Sequence, residues 1–257
     1  MSYQDKTVIV TGGSRGIGEG IVRAFANAGA VVSFCDRRVE EGEALAAALL
    51  AGGCRVGFRP CDVTDEGELE AFVAGAVGSM GGLDCLVNNA GWHPPHHPID
   101  GFTAAGFREL LELNLLSMFT ACRTALPALR RSRGAIVNIA SLVATIGQHH
   151  AVTYAATKGA IVAFTKALAL DEAPHGVRVN SISPGNIMTP LWAEAAASMG
   201  NPAAVIAEGE AAQPLGRMGT PAEVGVLALF LAAGATFTTG VDHLITGGAE
   251  LGYARKA

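Results

Sequence analysis

Charge is scarce in this sequence. Of its 257 residues 16% are Asp, Glu, Lys or Arg, while 50% are hydrophobic, a balance that excludes an intrinsically disordered chain. A basic excess is also missing: 18 Lys and Arg against 23 Asp and Glu leave a formal net charge of -5. Nucleic acids and anionic membranes select basic surfaces, so neither is expected as a partner. The longest apolar stretch, residues 224–237, contains glycines and is too short to span a bilayer. Cysteines are few: Cys35, Cys54, Cys61, Cys85 and Cys122 are odd in number and form no CxxC pair. Most lie inside apolar runs, which predicts buried, reduced thiols in a reducing compartment instead of a disulfide framework. The polar start Met1-Ser2-Tyr3-Gln4-Asp5-Lys6 runs straight into an apolar strand and carries no signal-peptide pattern. A cytoplasmic protein is expected, long enough for a sizeable buried core.

What the chain has in excess is glycine, 33 residues with no collagen-like period. Between the glycines, short apolar runs alternate with longer helical patterns. Strands are predicted at 7–10, 31–35, 54–58, 83–87, 135–139, 177–181 and 241–245, and helices at 18–28, 40–50, 66–77, 107–129, 154–172 and 222–232. The strand segments read as continuously apolar, as expected of a parallel sheet covered on both faces. This alternation predicts a doubly wound α/β fold of Rossmann type, a seven-stranded parallel sheet flanked by helices on both faces. No linker or repeat divides residues 1–257, so one domain is expected. Two stretches, 92–102 and 186–214, break the rhythm and are expected to be long functional loops, the second a substrate loop.

Thr11-Gly12-Gly13-Ser14-Arg15-Gly16-Ile17-Gly18 lies between the first strand and the first helix. Glycines there allow a tight turn and let backbone approach a pyrophosphate at the helix N-terminus, where free N–H groups and the dipole favour an anion. The spacing is GxxxGxG, not the GxGxxG of the commoner dinucleotide fingerprint. Asp36 ends the second strand, where a carboxylate can hold an adenosine ribose 2′-hydroxyl and repel a 2′-phosphate. Arg15 and Arg37 point the other way, since either could meet a 2′-phosphate. Asp36 weighs more, and NAD is the expected cofactor.

Tyr154 and Lys158 stand at i and i+4, on one face of a helix. Tyrosine, with a pKa of about 10, is a poor base at neutral pH. A nearby ammonium is expected to lower that value, as would a positively charged nicotinamide ring. Ser141 closes the fifth strand at the carboxyl edge of the sheet, where ligands bind in this architecture, and could hold a substrate oxygen against the tyrosine.

Together Thr11 to Gly18, Asn88-Asn89-Ala90-Gly91, Asn114, Ser141, Tyr154-x-x-x-Lys158 and Pro184-Gly185 with Thr189 resemble the short-chain dehydrogenase/reductase family over essentially the full length. The resemblance implies a catalytic set of Asn114, Ser141, Tyr154 and Lys158. Tyr154 would be the acid/base, Lys158 would bind the nicotinamide ribose and tune Tyr154, Ser141 would orient the carbinol, and Asn114 would hold a proton-relay water. It also implies that Gly12, Arg15, Gly16, Ile17, Gly18, Asp36 and Arg37 take part in cofactor binding. Asp62 and Val63 would contact adenine, Asn89 and Gly91 would support the pocket, and Ile187 and Thr189 would touch the nicotinamide amide. Stretches such as 106–116, 167–180, 184–192 and 246–253 are similar to members acting on L-fucose or on 17β-hydroxysteroids such as estradiol. The expected activity is therefore NAD-dependent oxidation of a secondary alcohol or hemiacetal hydroxyl. A non-catalytic NAD-binding module and an NADPH-dependent carbonyl reductase are the alternatives.

The substrate is expected between the two irregular stretches. His93 and Gln148 offer the hydrogen bonds a sugar needs, while Met188, Leu191, Trp192 and Met199 offer the apolar surface a steroid needs. Trp92 stands beside His93 where the resemblance leads one to expect a second histidine. His93, His96, His97, His149 and His150 also suggest a metal. No carboxylate or cysteine completes a zinc set beside them, and hydride transfer needs none, so no metal is expected. Leu113 to Cys122 carries no charge, and the helix after Tyr154 has only Lys158 and Lys166 before Asp171. Helices so apolar must be covered on both sides, which predicts a homo-oligomer; the resemblance implies a homotetramer.

Overall fold

Val8, Ile9 and Val10 are β-branched and wholly inaccessible to solvent, which suits the middle of a covered sheet. They belong to β1 (Thr7–Thr11), and the other strands are β2 (Val31–Asp36), β3 (Arg55–Pro60), β4 (Cys85–Asn88), β5 (Ala135–Ile139), β6 (Arg178–Pro184) and β7 (Asp242–Ile245). In this computed structural model, which describes residues 1–198 and 200–252, the strands form one seven-stranded sheet in the order β3-β2-β1-β4-β5-β6-β7. Every pairing is parallel. The Rossmann expectation holds, strand for strand.

Helices cover both faces. α1 (Gly16–Asn27), α2 (Val39–Ala51) and α10 (Pro221–Ala233) bury Ile21, Phe25, Leu45, Leu49, Val224 and Leu231 against one face. α3 (Glu66–Met80), α5 (Ser117–Ser132) and α7 (Val152–Glu172) bury Leu69, Phe72, Ala121, Leu129 and Ile161 against the other. Each fully buried Leu, Ile or Phe contributes about 1.5–3 kcal/mol relative to exposure, so the two layers hold the strand ends rigidly in register. All five cysteines are free thiols, and only Cys54 is not fully buried. No helix among the described residues is long and apolar enough to cross a membrane.

Three sequence expectations change. The edge strand β3 is not continuously apolar, since Arg55, Gly57 and Arg59 face outward; only one face of it is covered. The helix expected at 107–129 is α4 (Ala104–Leu111) joined to α5 through a π-helical turn, Glu112–Leu116. Stretch 186–214 is no loop: it carries α8 (Pro190–Ala197) and α9 (Pro202–Ala211). Thr189 and Asn201 cap these helices and Pro190 and Pro202 start them, the usual pairing of a polar cap with proline at the first turn. Residues 92–102 remain irregular apart from a 3₁₀ turn at Ile99–Gly101, and a short helix, α6 (Val143–Ile146), follows β5.

Candidate active site

The strand order reverses between β1 and β4, and ligands of such sheets bind in the crevice that this reversal leaves beyond the strands' carboxyl ends. Here Gly12 and Gly16 have φ of 65° and 56°, the left-handed region that glycine enters without strain. Asn89, just past β4, fastens the loop: its Nδ2 donates to Thr11 O at 3.1 Å and Gly12 O at 2.7 Å. Thr11 Oγ1 in return accepts from Asn89 N and Ala90 N. α1 has no side-chain cap, as is also true of α2, α5, α6 and α7, but only at α1 does the glycine loop lead into the uncapped end. Ser14 Oγ is buried in the loop with no hydrogen-bond partner. Uncapped N–H groups, an unpaired buried hydroxyl and a loop with no room for side chains fit the phosphates of a dinucleotide.

A cavity of about 520 Å³ leads from this loop past the ends of β2 and β3 at one side and β5 at the other. At the first end Asp36 accepts from Ser14 N at 3.3 Å and from Arg38 N at 3.1 Å. Arg37 and the buried Val63 line the wall nearby. Asp62 accepts from Thr64 N and Oγ1 at 2.9 and 2.7 Å, bonds that hold its carboxyl below the usual carboxylate range. Arg15 reaches across to α8 and pairs with Glu194.

At the other end Tyr154, in the first turn of α7, accompanies Ser141, whose hydroxyl hydrogen-bonds it. Lys158 Nζ is buried 5.7 Å from the centre of the Tyr154 ring and donates to Ile139 O at 2.9 Å. Asn114 lies behind the wall in the π-helical turn, 1% exposed. Its Oδ1 accepts from Trp92 N at 2.9 Å, and its Nδ2 donates to Trp92 O and Thr157 Oγ1. Gly91 lies over both groups: a Cβ there would stand 3.1 Å from Asn114 Oδ1 and 3.6 Å from Lys158 Nζ. The fold thus gathers Asn114, Ser141, Tyr154 and Lys158 from separate segments around one end of the cavity.

A family model described as enoyl-(acyl carrier protein) reductase matches residues 12–250. The chain is a short-chain dehydrogenase/reductase. It is 59% identical over 255 residues to the L-fucose dehydrogenase of Mus musculus, covering 99% of this chain and 92% of that one. To the L-fucose dehydrogenase of Bos taurus it is 58% identical, covering 99% and 93%. Among solved structures, aldohexose dehydrogenase of Thermoplasma acidophilum superposes with a TM-score of 0.88 at 33% identity, covering 96% of this chain and 95% of that one. A variant of actinorhodin polyketide ketoreductase with NADPH gives 0.90 at 34%, covering 97% and 99%. The chain is accordingly an oxidoreductase of a family that uses a nicotinamide cofactor.

In this short-chain dehydrogenase the electrostatics of the two ring-end groups depart from the simple expectation. Burial pushes the Tyr154 phenol up to about 12, and the Ser141 hydrogen bond only partly offsets it; the ammonium does not bring it down. Burial also pushes Lys158 down, to about 8 from 10.5. This has a testable sign. Below pH 8 the folded and unfolded chains both hold the lysine proton, and folding bears the full cost of burying an ammonium. Between about 8 and 10.5 the folded protein releases the proton first, so that cost fades as pH rises. Lys158→Met lacks this term, and the other buried groups titrate alike in both proteins. Wild-type stability is therefore expected to gain on that of Lys158→Met between pH 7 and 10, by up to on the order of 3 kcal/mol. Denaturant melts at each pH read it; a pH-independent gap would contradict the buried ammonium.

The residues expected to meet substrate divide. His93 lines the cavity with its ring centre 4.1 Å from that of Tyr154, and its Nε2 is 2.9 Å from Gln148 Oε1. Trp92 lines the mouth, half exposed. Trp192 is not brought to the cavity: its ring packs on Gly209 of α9 beside Met218, fixing α8 to α9. Of the other apolar residues named, Leu191 lines the cavity and Met188 does not, while Met199 and the last residue of the stretch 246–253 lie outside the described residues. Ile187 is buried with its Cδ1 toward Gly219, and Thr189 lines the cavity while capping α8. The histidines pair with one another, His149 stacked on His150 at 3.7 Å, and no group of three or more His, Cys, Asp or Glu among the described residues is placed to hold a metal ion. Ser14, Thr157 and Glu194 escape a reading of the sequence. Ser14 lies inside the glycine motif and could be found there; the other two carry no local signal.

Proposed function

We propose that the chain oxidises a sugar hydroxyl of the L-fucose class at its hemiacetal carbon, with NAD as acceptor. The observation that carries this reading is His93, which packs on the Tyr154 ring in the cavity and is steadied from outside the cavity lining by the exposed Gln148, a polar side chain where a sugar would need its water replaced. Of the apolar residues a steroid would want, Trp192 is turned into α9, while Leu191 lines the cavity. Relatives named L-fucose dehydrogenase at 59% and 58% identity support it.

In this reading Ser141 holds the substrate oxygen; Tyr154 first releases its own proton to solvent and, as the phenolate, takes the hydroxyl proton as the carbinol hydrogen leaves as hydride. The nicotinamide ring, when bound, supplies the hydride acceptor. Lys158 keeps positive charge near the phenolate, and Asn114 fixes the Trp92 backbone and, with it, the wall that carries His93. The glycine loop, Ser14 and the first turn of α1 hold the phosphates, and Asp36 takes the 2′-hydroxyl. Assembly into a homotetramer belongs to the same reading: Leu116 and Phe119 around the start of α5, and Phe230 and Leu244 on α10 and β7, leave apolar surface for further copies.

Initial rates with L-fucose and with estradiol, each with NAD and NADP, test the proposal. L-Fucose with NAD is expected to give the highest kcat/KM. Asp36→Ala is expected to narrow the preference for NAD over NADP by about tenfold or more, the effect of one like charge near a phosphate in a partly solvated site. Faster turnover of estradiol would reverse the substrate assignment, and an unchanged cofactor ratio would remove Asp36 from its role.

A further inference from the structure

The adenosine end of the cavity holds more positive charge than a site for a 2′-hydroxyl needs. Arg15, Arg37 and Arg38 all line it, and each could reward a 2′-phosphate, which carries about −1.5 to −2 at neutral pH. Arg15 is the best placed by its backbone, because the preceding amide, Ser14 N, already bonds the Asp36 carboxylate. Yet its guanidinium is not available. Nη1 donates to Glu194 Oε1 at 2.6 Å and Nη2 to Oε2 at 3.3 Å, the two-pronged geometry that a guanidinium and a carboxylate prefer. Glu194 comes from α8, in the stretch 186–214 whose sequence alone shows no partner for it. Three contacts hold α8 in place: Thr189 caps it, Pro190 starts it, and Trp192 locks it to α9. The start of α8 stands over the glycine loop, with Thr189 Cβ 3.5 Å from where a Gly16 Cβ would point.

Resting on the reading that NAD is the cofactor, we infer that Glu194 is a specificity residue, which ties Arg15 away from the ribose 2′ position and, with Asp36, keeps the site selective for a 2′-hydroxyl. The bound guanidinium is neutralised as a pair, so a 2′-phosphate would meet Asp36 with no free cation from Arg15 to offset it. Arg38 is partly engaged as well, with Glu41 at 3.4 Å, and Glu194 feels its charge after that of Arg15, both holding the glutamate carboxyl below its ordinary range. An exposed ion pair contributes little to stability; its effect here is on which anion the loop accepts.

The test is the relative affinity for adenosine 2′,5′-bisphosphate and 5′-AMP, measured by calorimetry on wild type, Arg15→Ala, Glu194→Gln and the double variant. The glutamine keeps the size of the side chain and removes its charge. Glu194→Gln is expected to shift the ratio toward the bisphosphate by about tenfold at low salt, less as salt screens the charges. Arg15→Ala is expected to shift it the other way, and the double variant to lose the gain. With NADP the same gain should appear in KM and leave kcat aside. A ratio within about twofold of wild type in Glu194→Gln overturns the inference, as does a gain that survives in the double variant, which would make Arg15 irrelevant. A wild type that prefers the bisphosphate would instead reverse the NAD reading, while the comparison among variants still reports on Glu194.

Discussion

Tyr154→Phe is expected to lower kcat for alcohol oxidation by about 10²–10⁴-fold, the usual contribution of a positioned acid/base group. The substitution removes one oxygen and keeps the ring, so the contact with His93 at 4.1 Å survives. What disappears is the ionisable group hydrogen-bonded to Ser141. Its effect is therefore expected in kcat and not in the stability of the fold, where one lost partner for the Ser141 hydroxyl costs about 1–2 kcal/mol at most. Nucleotide should still raise the melting temperature of the variant, because the phosphate loop stands at the other end of the cavity. Stopped-flow absorbance of the reduced nicotinamide, with melts in parallel, separates the two. Activity within tenfold of wild type would show that another group takes the proton. Binding without turnover in the wild type, across sugars and steroids alike, would favour a non-catalytic nucleotide-binding module.

The sheet was legible because its signal is local. Runs such as Thr7–Thr11 and Ala135–Ile139 are buried on every residue, and a strand covered on both faces is mostly apolar, with a polar residue such as Asn138 tolerated where it is hydrogen-bonded. Ser141 and the Tyr154–Lys158 pair could be picked out for a different reason, a polar residue at a strand end and two groups on one helix face, whereas Asn114 came only from the resemblance. α8 and α9 were missed although Thr189-Pro190 and Asn201-Pro202 announced them, because small and alanine-rich helices carry almost no apolar stripe to read. The π-helical turn at Asn114 was not legible at all. Within it the Asn114 amide bonds Trp92 and Thr157, partners 22 and 43 positions away that no window of sequence brings together. Trp192 misled for the same reason, since a tryptophan near a predicted pocket says nothing of which side of α8 it occupies. Glu194 is the sharpest instance: only the folded chain shows that its charge belongs to the glycine loop 179 positions earlier.

Gly18→Ala is expected to abolish nucleotide binding and to destabilise the protein, at or above the upper end of the 1–3 kcal/mol usual for overpacking, that is, about 3 kcal/mol. A Cβ at this position would overlap Gly12 O and stand 2.6 Å from Asn89 Nδ2 and 2.9 Å from Gly12 C. None of these atoms can retreat cheaply. Gly12 O is held by the Asn89 amide at 2.7 Å, and Asn89 is held by Thr11 through its own backbone N–H. Moving the loop outward breaks the staple between β1 and β4; moving α1 outward lifts Ile21, Val22 and Phe25, all wholly buried, from the sheet. Either escape spoils the phosphate cradle. Gly78→Ala makes the comparison strict: it lies in α3, exposed, with nothing within 4 Å of its Cβ direction. There alanine should stabilise by about 0.5–1 kcal/mol through helix propensity and a less flexible unfolded chain. Thermal melts of both variants with and without NAD decide the matter. If Gly18→Ala melts with the wild type and still responds to the dinucleotide, close packing of loop against β4 is not what shapes the cofactor site.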